Sequence, residues 1–293
     1  MPKVSSNNEL IQQKTLELEF LTYAMSLGYT LMDFELIEHY AWNELNQDQL
    51  YSLARNYNWT NGNEISALRW DWTNTIVQYQ KKYQLKAERI AYSGPVFSRD
   101  GNREQLGMEI FSADIGAQQE LLTQAIAFIR RQMDAPISIA VLSHNRLLKK
   151  ILKEDQLADP AVKVHIEARN AKGLAEVLGE SHPLIQLMDL PPVEQIGYLD
   201  RHYPELHRHI DELNTWFQTF AGCEVPNVYI DVLALPSQSY YRGIFFKAYH
   251  EGQKTPIMGG GQYTANKKAF GVGINTGNII LKTKDKPSGG QEE

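Results

Sequence analysis

Gln105 and Glu109 are the residues best placed to do chemistry in this chain, four apart within Ala91 to Ser112, AYSGPVFSRDGNREQLGMEIFS. Two β-type runs flank a polar turn, so the segment is predicted to be a hairpin. Residues an even number apart share a strand face, which puts Gln105, Gly107 and Glu109 on one side, the glycine leaving room for a ligand. Tyr92, Val96 and Phe97 on the way in, with Leu106, Met108 and Ile110 on the way out, are expected to bury the other face. Taken alone, the segment also reads as an ordinary hairpin with a solvated polar face, the commoner outcome.

The elements that must hold this hairpin follow from periodicity. Leu10, Leu16, Leu18, Leu21 and Met25 mark a long helix near the start. Gln118 to Met133 carries a helical stripe of Leu121, Leu122, Ala125, Ile126 and Ile129, and Ile137 to Ser143 reads as a strand. Asn145 to Leu157, Ala171 to Leu178 and Val193 to Leu199 repeat the helical spacing, and Pro191-Pro192 marks a boundary between subelements. Val228 to Leu235 reads as a further strand. Strands, then helices, then strands predict an α+β fold on an antiparallel sheet rather than alternating βαβ units. One domain over residues 1–281, with a mostly helical segment at about 114–222, would then precede a disordered tail at 282–293.

Composition narrows the function classes. At 293 residues and 43% hydrophobic content the chain can hold a substantial core. A single cysteine, Cys223, excludes internal disulfides and cysteine-rich metal sites and is expected to be a buried thiol in a reducing compartment. The apolar runs are too short to cross a bilayer and the start, MPKVSSNNEL, lacks a signal segment, so a cytoplasmic protein is expected. Lys and Arg total 29 against 35 Asp and Glu, a formal charge of −6. That balance lacks the basic footprint of a protein that grips a phosphate backbone.

The hairpin resembles motif 2 of the class II aminoacyl-tRNA synthetases in its histidyl version, where Gly-Pro-hydrophobic-Phe-Arg is answered by Gln-x-Gly-x-Glu. Here the runs are Gly94-Pro95-Val96-Phe97-Ser98 and Gln105-Leu106-Gly107-Met108-Glu109. Gly28 to Glu35 is similar to motif 1, with Phe34 in place of its proline. Leu68-Arg69-Trp70-Asp71-Trp72-Thr73 looks like the segment whose acid and threonine hold the amino group of the amino acid. Ser239 to Phe246 resembles the histidyl signature strand whose tyrosines, here Tyr240 and Tyr241, wrap the imidazole. Gly259-Gly260-Gly261-Gln262-Tyr263 is similar to the family's Gly-Gly-Arg-Tyr turn, and Phe270 to Asn275 to the strand that opens motif 3.

The resemblance implies a class II synthetase-like antiparallel sheet flanked by helices, with no anticodon-binding domain. It implies a histidine pocket of Asp71, Thr73, Gln105, Glu109, Tyr240 and Tyr241, without metal. At the three places where the family sets arginines stand Ser98, Pro236 and Asn278. Fixed cations are the main stabilisers of charge on an α-phosphate in a water-poor site, so their replacement implies lost adenylation chemistry. A histidine pocket without that chemistry resembles the regulatory subunits of ATP phosphoribosyltransferase, synthetase paralogues in the first step of histidine biosynthesis. The implied partners are a short-form catalytic subunit, L-histidine as feedback effector and a second copy of the chain within a hetero-oligomer. No tRNA and no cofactor is expected. Motif 1 would place Leu31 and Phe34 at the homodimer interface. Two alternatives stand beside this one: an amino-acid activating ligase with an ATP site rebuilt from Arg99, Arg103 or Arg242, and a scaffold with a vestigial pocket.

Several features compete for attention. His202, His207 and His209 surround Glu205, yet the spacing lacks the His-Glu-x-x-His register that puts ligands on one helix face, and a solvated or capping face is expected. Gly271 and Gly273 make only a fragment of a dinucleotide fingerprint, and Gly259 to Gly261 lacks the Lys-Ser/Thr of a phosphate loop. Trp70 and Trp72 are expected to be core or pocket walls. His144 and Arg69 have no assigned role.

Overall fold

Ser6 opens the first helix through a reciprocal cap: its backbone N–H donates to Glu9 Oε2 at 2.7 Å, and Glu9 N–H donates to Ser6 Oγ at 3.3 Å. The computed structural model describes residues 6–45, 50, 53–54, 56–99, 101–132 and 137–278, so the tail at 282–293 lies outside the described residues. Helix α1 (Asn7–Ser26) buries Leu16, Phe20 and Ala24, a strict i, i+4 stripe. Of the apolar residues that marked this helix, Leu16 is buried and Leu21 packs against the core, whereas Leu10, Leu18 and Met25 are exposed on the other face.

Eleven strands follow among the described residues: β1 (Thr30–Leu31), β2 (Ile37–Ala41), β3 (Asn58–Asn61), β4 (Glu64–Leu68), β5 (Arg89–Val96), β6 (Arg103–Ile110), β7 (Ile139–His144), β8 (Asn227–Ile230), β9 (Tyr241–Tyr249), β10 (Met258–Ala265) and β11 (Lys267–Asn275). Eight form one sheet in the order β1-β5-β6-β11-β10-β9-β7-β8, and β2-β4-β3 form a small second sheet. The central pairs are antiparallel, while β1 with β5 and β7 with β8 pair in parallel at the two edges. The result is the expected α+β arrangement, with parallel edges that the order of elements did not reveal.

Three helices cover one face of the large sheet: α1 on β5 and β6, α3 (Ile115–Gln132) on β6 and β11, and α10 (His207–Gly222) on β7 and β8. Leu106, Met108 and Ile110 join this core with Phe246, Phe270, Val272 and Ile274. Trp216 stacks on Phe270 at 4.8 Å between ring centroids, closing the layer. The opposite face is only partly covered, by α2 (Trp72–Tyr83), which packs Trp72 and Ile76 against Tyr92, Val96 and Tyr263. That uneven cover leaves room for a site.

Between β7 and α10 run α4 (Asn145–Ile151), α5 (Glu154–Ala158), α6 (Pro160–Glu167), α7 (Ala171–Leu178), α8 (Pro183–Asp189) and α9 (Pro192–His202). The helix expected over Asn145 to Leu157 is broken at Leu152 and Lys153, which are extended. The proline pair falls between α8 and α9, the expected boundary between elements, with Pro192 in the first turn of α9. The strand expected over Val228 to Leu235 stops at Ile230, where Asp231 turns the chain by accepting from the Leu233 N–H. The glycines of Gly259 to Gly261 lie inside strand β10, not in a turn. No helix among the described residues is long and apolar enough to cross a membrane.

Candidate functional site

Asp71 ends the β4 connection and caps α2, its Oδ1 accepting from the Asn74 N–H at 2.7 Å. The cap fixes the first helical turn, which aims Thr73 at the sheet. Thr73 Oγ1 donates to Glu109 Oε1 at 3.1 Å. Tyr92, on the neighbouring strand β5, donates to the same oxygen at 3.0 Å, and Tyr263 on β10 donates to Oε2 at 3.0 Å. Glu109 is 0% exposed and receives three hydroxyls, with no cation paired to it among the described residues.

Burial pushes the Glu109 carboxyl up to about 8, against the pull of the Tyr92, Tyr263 and Thr73 hydroxyls, and the Asp71 charge pushes the same way. Burial also raises Asp71, opposed by the Asn74 N–H and by Tyr240, whose hydroxyl donates to Asp71 Oδ2 at 3.2 Å. Two carboxyl groups thus share one corner, Glu109 fully buried and Asp71 half-buried, joined through Thr73. Tyr240 and Tyr241 form its wall, their ring centroids 4.9 Å apart. A cationic ligand group would supply the counter-charge this corner lacks.

The glycines beneath explain how a carboxylate sinks so deep. Gly271 pairs with Glu109 across β6 and β11, and a Cβ there would stand 1.7 Å from Glu109 Oε2. Gly107 was expected to leave room for a ligand, but a Cβ at that position would meet the Tyr92 ring at 2.1 Å. Its space is filled by Tyr92. The register pairs Tyr92 with Gly107, so Tyr92 lies on the Glu109 face and not on the face of Leu106 and Met108 as expected.

Asp71, Thr73, Glu109, Tyr240 and Tyr241 therefore meet in one corner. Gln105 lies on the same face, four residues along β6, with its amide folded over Gly273; Glu109 overhangs Gly271, so the two side-chain ends stand about 7 Å apart, two residues of strand. Missed from the sequence were Tyr92 and Tyr263, which hold Glu109, and Arg69. Arg69 is 1% exposed, donates to the carbonyls of Phe34 and Pro95, and lies 3.4 Å over the Trp72 ring. It fastens motif 1, the hairpin and α2 together. Only the pairing register, set by the hairpin turn, could have revealed Tyr92.

Of the residues that the resemblance sets at arginine positions, Ser98 donates its hydroxyl to the Gly101 carbonyl at 2.8 Å, and Asn278 ends a short 3-10 turn. Arg99, Arg103 and Arg242 are exposed. Arg242 donates to the Tyr241 carbonyl at 3.2 Å and to that of Ser239.

On the helix side, His144, His209 and Glu212 bring one ligand atom each within 4.8 Å of one another. The Arg146 N–H donates to His144 Nδ1 at 3.0 Å, which leaves the ring proton on Nε2, directed at Glu212 Oε2 3.6 Å away. That tautomer opposes metal ligation through Nε2. His207 turns instead to Asp200, and His202 stacks on Tyr198.

The model of a family described as histidyl-tRNA synthetase matches residues 6–277. The ATP phosphoribosyltransferase regulatory subunit of Staphylococcus aureus (strain MRSA252) is 29% identical over 271 residues, 92% of this chain and 99% of that protein. Among solved structures, an ATP phosphoribosyltransferase regulatory subunit/histidyl-tRNA synthetase from Bacillus halodurans superposes with a TM-score of 0.71 at 17% identity, covering 97% of this chain and 83% of that one. The ATP phosphoribosyl transferase (HisG:HisZ) complex from Thermotoga maritima contains a chain that superposes with a TM-score of 0.63 at 21% identity, covering 89% of this chain and 96% of its own. At such identities these structures speak for the fold.

Proposed function

The chain belongs to the histidyl-tRNA synthetase family, and from that premise we propose that it is the regulatory subunit of an ATP phosphoribosyltransferase, serving histidine biosynthesis beside a short catalytic subunit. Its sheet and helices are a class II synthetase-like core. The observation that carries the proposal is the corner where Glu109, held by three hydroxyls, faces Asp71 and Tyr240 with no cation between them among the described residues. Such a corner suits the ammonium or imidazole of L-histidine. Ser98, Pro236 and Asn278, standing at the arginine places of the resemblance, support a non-catalytic role, because none of these three side chains carries a charge to neutralise a transferring phosphate. The ligase alternative needs Arg99, Arg103 or Arg242 in the site, and all three are exposed.

Histidine regulates only if it binds one state of the assembly better than another, so the effect is read in the complex. The test mixes the purified chain with a short-form catalytic subunit and measures co-elution, phosphoribosyl transfer and inhibition by L-histidine. Formation of a complex with raised activity and histidine inhibition is expected. No co-elution and no change in activity would sink the proposal, and ATP-dependent adenylate formation by the isolated chain would replace it with the ligase.

A further inference from the structure

The same sheet face continues past the Tyr241 wall. Tyr241 stacks on Phe245 at 5.9 Å, and beyond Phe245 a second cavity of about 120 Å3 opens between β7, β9 and the Asp231 to Leu235 segment. Three strand spacings, about 14 Å, separate β9 from the strand of Glu109. The cavity shares no residue with the corner described above. By the measure in which about 150 Å3 holds benzene, it takes a molecule of about five or six heavy atoms.

Its lining carries two polar groups that the protein leaves unsatisfied. Ser143 is 1% exposed and its Oγ has no hydrogen-bond partner among the described residues. Such a hydroxyl costs free energy unless something enters to meet it. Lys247 pairs across the ladder with Val141 and with Gly259, so its stem leaves the sheet on the same face as Ser143, which pairs with Phe245. No carboxylate is paired with Lys247 among the described residues. The one acid in the lining, Asp231, is already engaged, since it accepts from Arg169 Nη2 and from the Leu233 N–H. Counting Arg169 behind Asp231, the surroundings hold one positive charge in excess. Phe245, Tyr249 and Leu235 supply the apolar walls.

We propose that this cavity binds a small oxyanion, phosphate or short-chain carboxylate, through the Lys247 ammonium and the Ser143 hydroxyl. An oxyanion has acceptors for both groups and a charge that matches the excess. A water molecule would satisfy the hydroxyl and leave the charge.

The test titrates the full chain calorimetrically with inorganic phosphate and, separately, with acetate, at ionic strength matched with sodium chloride. Saturable binding in the millimolar range is expected, weakened about tenfold in Lys247→Met and several-fold in Ser143→Ala. Lys247→Arg keeps the charge and should keep the binding, which separates a lost contact from a damaged fold. Saturation by phosphate alone assigns a phosphate site, and comparable saturation by acetate assigns a carboxylate site. Absence of saturation by either ion, or equal affinity in Lys247→Met and the wild type, would overturn the proposal.

Discussion

The Tyr92 hydroxyl donates to Glu109 Oε1 at 3.0 Å from the neighbouring strand, while its ring lies over Gly107 and stacks on Trp72 at 4.3 Å. One side chain thus fills the floor of the hairpin, orients the buried carboxylate and ties it to the helix that carries Asp71 and Thr73. The state of Glu109 is accordingly a property of three elements at once.

Glu109→Ala should weaken L-histidine binding by about 2 kcal/mol, roughly thirtyfold in Kd, since a charge-assisted contact is lost. Wild-type affinity should climb as pH approaches the Glu109 value of about 8, because a cation binds the ionised form. Calorimetry with circular dichroism on the variant checks both. Unchanged affinity in a folded variant would remove Glu109 from the pocket.

Stability should fall as pH rises between about 4.5 and 8. The unfolded chain releases the Glu109 proton near the ordinary 4.5, whereas the folded chain holds it to about 8, so across that window the folded state binds more protons and loses stability with each step up. Glu38, raised to about 7 by burial and hydrogen-bonded by Tyr40 at 2.7 Å and by Thr75, adds the same sign over a narrower window. Urea midpoints measured across the window should slope downward, and Glu109→Gln should flatten the slope without abolishing it. A wild-type midpoint that rises through the window would contradict this assignment.

Gly271→Ala should cost about 2 kcal/mol, because a methyl group 1.7 Å from Glu109 Oε2 must displace a carboxylate fixed by three hydroxyls. The urea midpoint reads the loss, and histidine affinity should fall with it. A neutral outcome in both would mean that the β6 to β11 register differs from the one described.

Leu31 and Phe34 should separate assembly from folding. Leu31 is 40% exposed on the short strand β1, whereas Phe34 is buried within its own chain, edge-on to Tyr79 at 4.6 Å, so Phe34 cannot serve the homodimer contact expected of it. Leu31→Asp should yield a folded monomer, by sedimentation, if a second copy covers that face together with Leu18 and Met25 of α1. Phe34→Ala should instead lower stability by about 3 kcal/mol. A wild-type chain that sediments as a monomer at micromolar concentration would sink the dimer.

The chain's own pattern determined the class of fold, the hairpin, the helical segment and the positions that carry hydroxyls and carboxyls, because strand and helix periods and motif spacings are local properties. Asp71, Thr73, Tyr240 and Tyr241 were named by the family resemblance and not by periodicity, and the fold sets them beside Glu109. Local pattern is silent on which residue stands opposite which. Tyr92 was placed on the wrong face and Arg69 had no role, because each depends on strand register or on packing between segments far apart in the chain. Tertiary structure alone decided that Glu109 is dry and has no cation paired to it among the described residues, since burial and counter-charge are facts about what surrounds a residue. The identity of the residue cannot supply them.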